Sequence, residues 1–132
     1  VIMRKNISSA SPWEEKVGYS RAVRVGNMIE VAGTTAMDGD RLIGKDDLYV
    51  QTFFVLQKIK DTLEQAGASM DDVVRTRMYV TDISKWEEAA KAHAEFFQQI
   101  KPASTMVQVT ALIDNGLLIE IEASAILENS NV

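Results

Sequence analysis

Two glutamates near the end of the chain, Glu120 and Glu122, are the side chains whose placement most needs an explanation. They interrupt an alternating apolar run at residues 117–127, a pattern typical of a strand. Both carboxylates therefore project from one face, roughly 6.5–7 Å apart. A buried, imperfectly paired carboxylate can act as a general acid or base. A structural role for the two glutamates is also open, because Arg75 and Arg77 alternate on one face of a neighbouring strand. We predict that Arg77 pairs with Glu120 or Glu122.

Two other patterns invite chemical interpretations that their spacing does not support. The single histidine, His93, lies in the apolar stripe of a predicted helix, and the nucleophile-elbow pattern of a serine hydrolase is missing. We interpret His93 as a packed, hydrogen-bonded residue, with catalysis as the less favoured alternative. Asp38-Gly39-Asp40 resembles the start of a calcium loop, but the position that requires a bidentate Glu is Tyr49. A hairpin turn is the better interpretation.

Composition excludes several classes of function. The chain has 132 residues, of which 46% are hydrophobic and 25% charged, so we expect a single globular domain over residues 1–132. A net charge of -5 disfavours a non-specific nucleic-acid surface. With no Cys and one His, we expect no metal site and no cofactor. No apolar run is long enough to span a membrane, and no signal-peptide pattern is present, so a cytoplasmic protein is expected.

Strand and helix patterns alternate through the first hundred residues. Residues 22–25 and 28–33 predict a hairpin around Gly26-Asn27. A helix is predicted to begin at Asp46 or Asp47 and to stop at Gly67, and residues 73–80 predict a strand. A capping box of Ser84 and Glu87 predicts the second helix, which Pro102 closes. The stripes predicted to be buried are Tyr49, Phe53, Leu56, Ile59, Leu63 and Ala66 in the first helix, and Trp86, Ala90, His93, Phe97 and Ile100 in the second.

The two ends of the chain complete the predicted fold. Residues 4–18 predict an arm with a short strand, anchored by Trp13 and Tyr19. Residues 105–111 and 117–127 predict two strands that form a hairpin around Asn115-Gly116. The strand at 73–80, the second helix and the strand at 105–111 follow one another, and this order implies a right-handed parallel crossover. The predicted class is therefore α+β, a mixed sheet with two helices on one face, and the other face is apolar enough to require cover by self-association.

Several of these stretches together resemble the YjgF/RidA (Rid) family over nearly the whole chain. The clearest part is the frame P-A-x-[ST]-x-V-x-V-x-x-L followed by E-I-E-A, which begins at Pro102 and resumes at Glu120. The other matching stretches are Gly26-Asn27-Met28-Ile29, Ala32-Gly33 and Tyr79-Val80-Thr81-Asp82. The resemblance implies a chorismate-mutase-like fold and a homotrimer whose sheets face inward.

The resemblance also implies a site. Deaminases of this family hydrolyse 2-imino acids, typically 2-aminoacrylate, in pockets between subunits. By residue-to-residue correspondence, Glu120 becomes the catalytic residue, acting with a bound water. Tyr19, Gly33, Ser104 and Thr105 become ligand-binding residues. The implied ligand is a small carboxylic or keto acid.

Two departures from the family pattern affect this expectation. The deaminases carry an arginine, which holds the substrate carboxylate, where this chain has Ser104, and usually an asparagine where it has Ala90. A hydroxyl cannot replace a bidentate guanidinium, and losing such a pair costs about 2–5 kcal/mol. The remaining candidates for the missing charge are Arg4, Arg21, Arg24, Arg75 and Arg77.

The resemblance and these departures leave three hypotheses for the function. The first is a deaminase-like enzyme with altered or absent activity on 2-aminoacrylate. The second is a trimeric protein that binds a small metabolite without turnover. The third, an RNA-directed ribonuclease or translation inhibitor, fits poorly with the acidic net charge and the lack of interleaved basic and aromatic residues.

Overall fold

The computed structural model describes residues 3–128, in which eight strands and three α-helices are present. The predicted domain, 1–132, thus includes residues at both ends that lie outside the described part. The strands are β1 (Arg4–Ile7), β2 (Ala22–Val25), β3 (Met28–Thr35), β4 (Met37–Asp38), β5 (Arg41–Leu42), β6 (Val73–Val80), β7 (Ala103–Gln108) and β8 (Ile119–Ile126). The helices are α1 (Pro12–Val17), α2 (Leu48–Gln65) and α3 (Trp86–Phe97).

Six strands form one mixed sheet in the order β1-β2-β3-β8-β6-β7. β6 and β7 are parallel, as the predicted crossover requires, and the other neighbours are antiparallel. The predicted hairpin of the last two strands is wrong, because β8 pairs with β3 and β6 and not with β7. Its inner side chains explain this central position, since all of them are buried: Ile119, Ile121, Ala123 and Ala125.

The short ladder of β4 and β5 confirms the predicted turn at Asp38-Gly39-Asp40. Met37 pairs with Leu42, and Asp38 pairs with Arg41. Gly39 has a φ of 65°, a conformation that a glycine adopts at little cost in a tight turn.

Capping side chains set the starts of the two long helices. The Asp47 side chain accepts a backbone hydrogen bond of 3.0 Å in the first turn of α2, and the helix stops before Gly67, as predicted. The predicted capping box of Ser84 and Glu87 is wrong. Asp82 instead accepts hydrogen bonds from the backbone and hydroxyl of Ser84 and opens a 3-10 turn that leads into α3. A charged carboxylate oxygen is the stronger acceptor for such a cap.

The buried faces of the helices differ in part from the predicted stripes. Phe53 and Trp86, predicted to be buried, are 41% and 50% exposed. Gln51 and Thr52 are polar but fully buried. Their side chains donate to backbone carbonyls, and these hydrogen bonds offset the cost of burial. The predicted residues that the core does contain are Leu56, Ile59, Leu63, Ala66 and Phe97.

The amino-terminal arm contains a helix that the sequence pattern did not predict. α1 begins after Ser11, whose hydroxyl accepts a hydrogen bond from Trp13 N, with Pro12 at its first position. Ser-Pro is a start signal for a helix, but six residues are too few for an apolar period to show. Trp13 is 49% exposed and therefore does not anchor the arm against the sheet.

Helices α2 and α3 pack on one face of the sheet and on each other, which confirms the predicted α+β class. The opposite face, called the outer face below, carries Arg75, Arg77 and Tyr79 from β6 and Glu120 and Glu122 from β8. All five are partly exposed. Within residues 3–128, no helix combines the length and apolar character that a membrane span requires.

Candidate functional site

Glu120 projects from the middle of the outer face, from the central strand β8. Its register partners are Thr35 of β3 and Tyr79 of β6. Burial raises the pKa of Glu120, the charge of Glu122 raises it further, and the guanidinium of Arg21 opposes both. Among the described residues no hydrogen bond contributes to this shift. The carboxylate therefore has a raised pKa and keeps its oxygens available for a ligand or water.

Gly33 makes room for this carboxylate. It lies where the register of β3 shifts between Val31 and Thr34, an irregularity typical of a β-bulge. A Cβ atom at Gly33 would collide with Glu120 Oε2. The absence of a side chain is therefore what lets Glu120 lie against β3, and it brings together two residues that the resemblance assigns to the pocket.

Tyr19 lies on the same side of the molecule as this pair and is 38% exposed. The Arg21 guanidinium stands 5.9 Å from the centre of the Tyr19 ring, within the range of a cation–π contact. Arg21 Nη2 donates to Gly33 O at 2.5 Å. One cluster thus contains Tyr19, Arg21, Gly33 and Glu120.

Glu122, two residues further along β8, has a different partner from the predicted one. Arg77 lies directly across from it in register, but the Tyr79 hydroxyl donates to Glu122 Oε1 at 2.8 Å. This bond raises the pKa of the Tyr79 hydroxyl. Arg75 Nη2 donates to the hydroxyl of Thr105 at 2.6 Å rather than to a carboxylate. Glu122 thus has a hydrogen-bonding partner within the sheet, but Tyr79 and not Arg77 is the donor.

Ser104 belongs to a separate hydrogen-bond network. Its register partner is Thr76, which is fully buried on the helix side of the sheet. Thr76 Oγ1 lies 2.8 Å from Ser104 Oγ and 2.9 Å from His93 Nε2. Burial lowers the pKa of His93, which keeps the imidazole neutral at pH 7. His93 is thus the packed, hydrogen-bonded residue that was predicted.

The predicted site residues fall into two groups that a single chain does not unite. Gly33 lies on β3, Glu120 on β8 and Tyr19 just before β2, whereas Ser104 and Thr105 lie on the edge strand β7. β7 is two strands away from β8, which corresponds to about 10 Å. The groove on the outer face, about 760 Å³ in volume, is bordered by Tyr19 and Glu122. Within one chain, a small ligand that contacts Glu120 therefore does not reach Ser104, which lies two strands away on the helix side of the sheet.

Sequence reasoning left two functional candidates unselected. Arg21 is one of five arginines that were considered, and nothing in its local pattern separates it from the others. Thr76 appears only as an inner residue of β6. Their partners are distant in sequence, Gly33 for Arg21 and His93 and Ser104 for Thr76, so only the strand register identifies them.

Comparison with protein families gives a match to the model described as Endoribonuclease L-PSP, over residues 10–127. A RutC family protein of Pyrococcus abyssi is 40% identical over 111 residues, which cover 83% of this chain and 87% of that protein.

Solved structures also resemble the chain. A Mycobacterium tuberculosis member of the YjgF/YER057c/UK114 family is 51% identical, with a TM-score of 0.87 over 95% of this chain and 100% of that one. A Yersinia pestis protein of the conserved Rid family is 29% identical, with a TM-score of 0.83 over 95% and 100% of the two chains. Structures of this family have the chorismate-mutase-like fold, which confirms the predicted fold.

Proposed function

The chain belongs to the Endoribonuclease L-PSP family, also named YjgF/UK114 or Rid, and on this premise we propose that it is a homotrimer with a small-molecule pocket at each subunit interface. Its ligand is a small carboxylic or keto acid. Its deaminase activity on 2-aminoacrylate is weak or absent.

The observation that carries this proposal is the half-buried Glu120 carboxylate, which lies against Gly33 without a hydrogen-bonding partner among the described residues. A buried, unpaired carboxylate lowers the stability of the folded state, because burial disfavours its charged form. A functional role explains why such a group is present. Ser104, in the other half of the expected pocket, faces the helix side of the sheet, and Thr105 lies on the outer face but two strands away from Glu120, where Arg75 donates to its hydroxyl. A neighbouring copy of β7 supplies them in the proposed trimer.

The chemistry available at Glu120 is proton transfer. In imine hydrolysis, water attacks the C=N carbon while the carboxylate takes a proton from the water and returns it to nitrogen, which gives a carbinolamine. The carboxylate then takes the proton of the carbinolamine hydroxyl and delivers it to nitrogen, so that the C–N bond breaks, the C=O bond forms and ammonia leaves. The raised pKa of Glu120 makes its protonated form easier to reach than in an exposed glutamate, which suits a group that takes up a proton and returns it. The rate depends on holding the imine carbon at attack distance, and Ser104 cannot hold the substrate carboxylate as an arginine does.

A metabolite-binding protein without turnover is the alternative, since the same pocket serves both functions. The ribonuclease in the family's description receives less support, because the chain has a net charge of -5 and its one histidine is held by Thr76.

Light scattering combined with a thermal-shift screen tests the proposal. We expect a particle three times the 14.6 kDa chain mass and a rise in Tm with pyruvate or 2-oxobutanoate, because a ligand that binds only the folded state stabilises it. A monomer at micromolar concentration, or no shift with any small carboxylic or keto acid, would contradict it.

A further inference from the structure

We propose that Arg21 is the cationic anchor that holds the carboxylate of the ligand in this pocket. The inference rests on the proposed function and specifies it, because it names the group that recognises an acid. Arg21 lies on the wall formed by β2, β3 and β8, and not at β7, where Ser104 leaves the family's anchor position without charge.

The placement of Arg21 follows from the strand pattern. It precedes Ala22, which is buried on the helix side, so the Arg21 side chain takes the outer face. Ala32 N donates to Arg21 O at 3.0 Å, which fixes Arg21 beside the bulge that contains Gly33. Its guanidinium reaches the Gly33 carbonyl and the Tyr19 ring. Arg21 therefore adjoins three residues that the sequence assigns to the pocket: Tyr19, Gly33 and Glu120.

The charge of Arg21 has no hydrogen-bonded carboxylate among residues 3–128. Nη2 donates to a neutral carbonyl, and Nε is buried with no acceptor in the described structure. The nearby Glu14 carboxylate is engaged by Ser8 and Ser9 instead. Buried cations are normally paired, and the planar guanidinium matches a carboxylate in two-bonded geometry. An acidic ligand supplies the missing partner.

A second cation reinforces the preference for an anion. Lys58 donates to Thr35 O at 2.9 Å and to Met37 O at 2.7 Å, next to the strand that faces Glu120. Burial lowers the pKa of Lys58, and the positive charge of Arg21 lowers it further, while the charge of Asp38 opposes both. Lys58 and Arg21 are therefore close enough to repel each other. Both lie beside the carboxylates of Glu120 and Asp38, and protonation of Glu120 removes one of these negative charges.

Two of the other arginines near the sheet, Arg24 and Arg75, have their own acceptors. Arg24 projects from the helix side and donates to Ala66 O at 2.7 Å, and Arg75 donates to Thr105. Arg24 is therefore a matched control, an arginine of the same strand region on the opposite face. A carboxylic acid bound to Arg21 lies on the same wall of the pocket as Glu120. Arg21 therefore supports ligand binding, but it does not hold the imine carbon from the opposite wall, as an arginine at residue 104 would.

The test is calorimetric titration of the assembled protein with pyruvate and with pyruvamide, its neutral analogue. We expect Arg21→Gln to weaken pyruvate binding by about tenfold or more and to leave pyruvamide binding unchanged, because only the acid uses the charge. Arg24→Gln should leave the affinity for both ligands at the wild-type value. Arg21→Lys, which keeps the charge but loses the fork, should give an intermediate loss and provides a folded variant if glutamine is not tolerated.

Two outcomes overturn this inference and differ from each other. Pyruvate affinity in Arg21→Gln and Arg21→Lys within twofold of the wild type shows that Arg21 is not the anchor, although the pocket exists. Absence of pyruvate and pyruvamide binding by the wild type overturns the proposed function itself, and the Arg21 anchor with it.

Discussion

At the residue scale, the environment of Glu120 sets the chemistry that the site offers. The carboxylate is partly buried, it lacks hydrogen-bond donors among the described residues, and Glu122 lies on the same face of β8. These conditions disfavour ionisation, and only the guanidinium of Arg21 opposes them. Glu120 therefore destabilises the folded state when it is charged, as groups retained for function often do.

Glu120→Gln should raise Tm at pH 8 by a few degrees, and the gain should vanish near pH 4. Because the folded-state pKa is raised, folding binds protons between the unfolded value, about 4.3, and the folded one. Stability is thus complete below the unfolded value and falls as pH rises through the folded one. Differential scanning calorimetry at matched concentration measures the difference. Exposed Glu64→Gln is the control, and an equal gain at both pH values would contradict this account.

The residue types of the site were predictable, but their partners were not. Alternation placed Glu120 and Glu122 on one face correctly, and Gly33 lies beside Glu120 as the family pattern implies. The expected Arg77–carboxylate bond was assigned from alternation alone, and the Tyr79 hydroxyl makes that bond instead. Arg21 could not be selected from five arginines, because its contact with Gly33 depends on the β2–β3 register and the bulge.

At the element scale, local signals located most of the helices and strands. The Asp47 cap, the Gly67 stop and the 73–80 strand are all present. The order of strands was less accessible, because Asn115-Gly116 is a strong hairpin signal while β8 inserts between β3 and β6. Burial of its whole inner face outweighs the local turn preference. Helices and strands can be predicted from residues that are close in sequence. The order of strands in the sheet depends on core packing between residues that are far apart in sequence.

Thr76→Val should destabilise the fold by about 1–3 kcal/mol, because it leaves His93 Nε2 without the bond that links α3 to β6. Thr52→Val is the matched control. Thr52 is equally buried, but it bonds only to Leu48 O within its own helix, so its loss should be smaller. Urea denaturation measures both variants. Equal losses would mean that the His93–Thr76–Ser104 network contributes nothing specific.

At the scale of the whole molecule, the outer face remains the surface that lacks a helical layer. It carries exposed apolar side chains beside its charged groups, among them Val107 at 42% and Ile126 at 51% exposure. Exposed apolar side chains on a sheet face without a helical layer are compatible with an interface. In the proposed trimer, this face is buried and β7 of one copy lies beside Glu120 of another, so that the two halves of the pocket meet.

Val107→Glu should dissociate the proposed trimer. Val107 faces outward opposite Tyr79, and a carboxylate buried there without a partner costs several kcal/mol per subunit. Val17→Glu, at a position that is 65% exposed on α1, should leave the assembly intact. Light scattering on both variants makes the comparison. Retention of the wild-type mass by Val107→Glu would place the interface elsewhere.

The release of pyruvate and ammonia from 2-aminoacrylate, generated in situ, tests the central claim that Ser104 removes the deaminase activity of this pocket. The account predicts a wild-type rate close to that of buffer. It also predicts a clear gain for Ser104→Arg, larger when Ala90→Asn is added, because the carboxylate is then held from the β7 side. Rapid turnover by the wild type would contradict the claim, since it would mean that the chain positions the imine carbon without an arginine at residue 104.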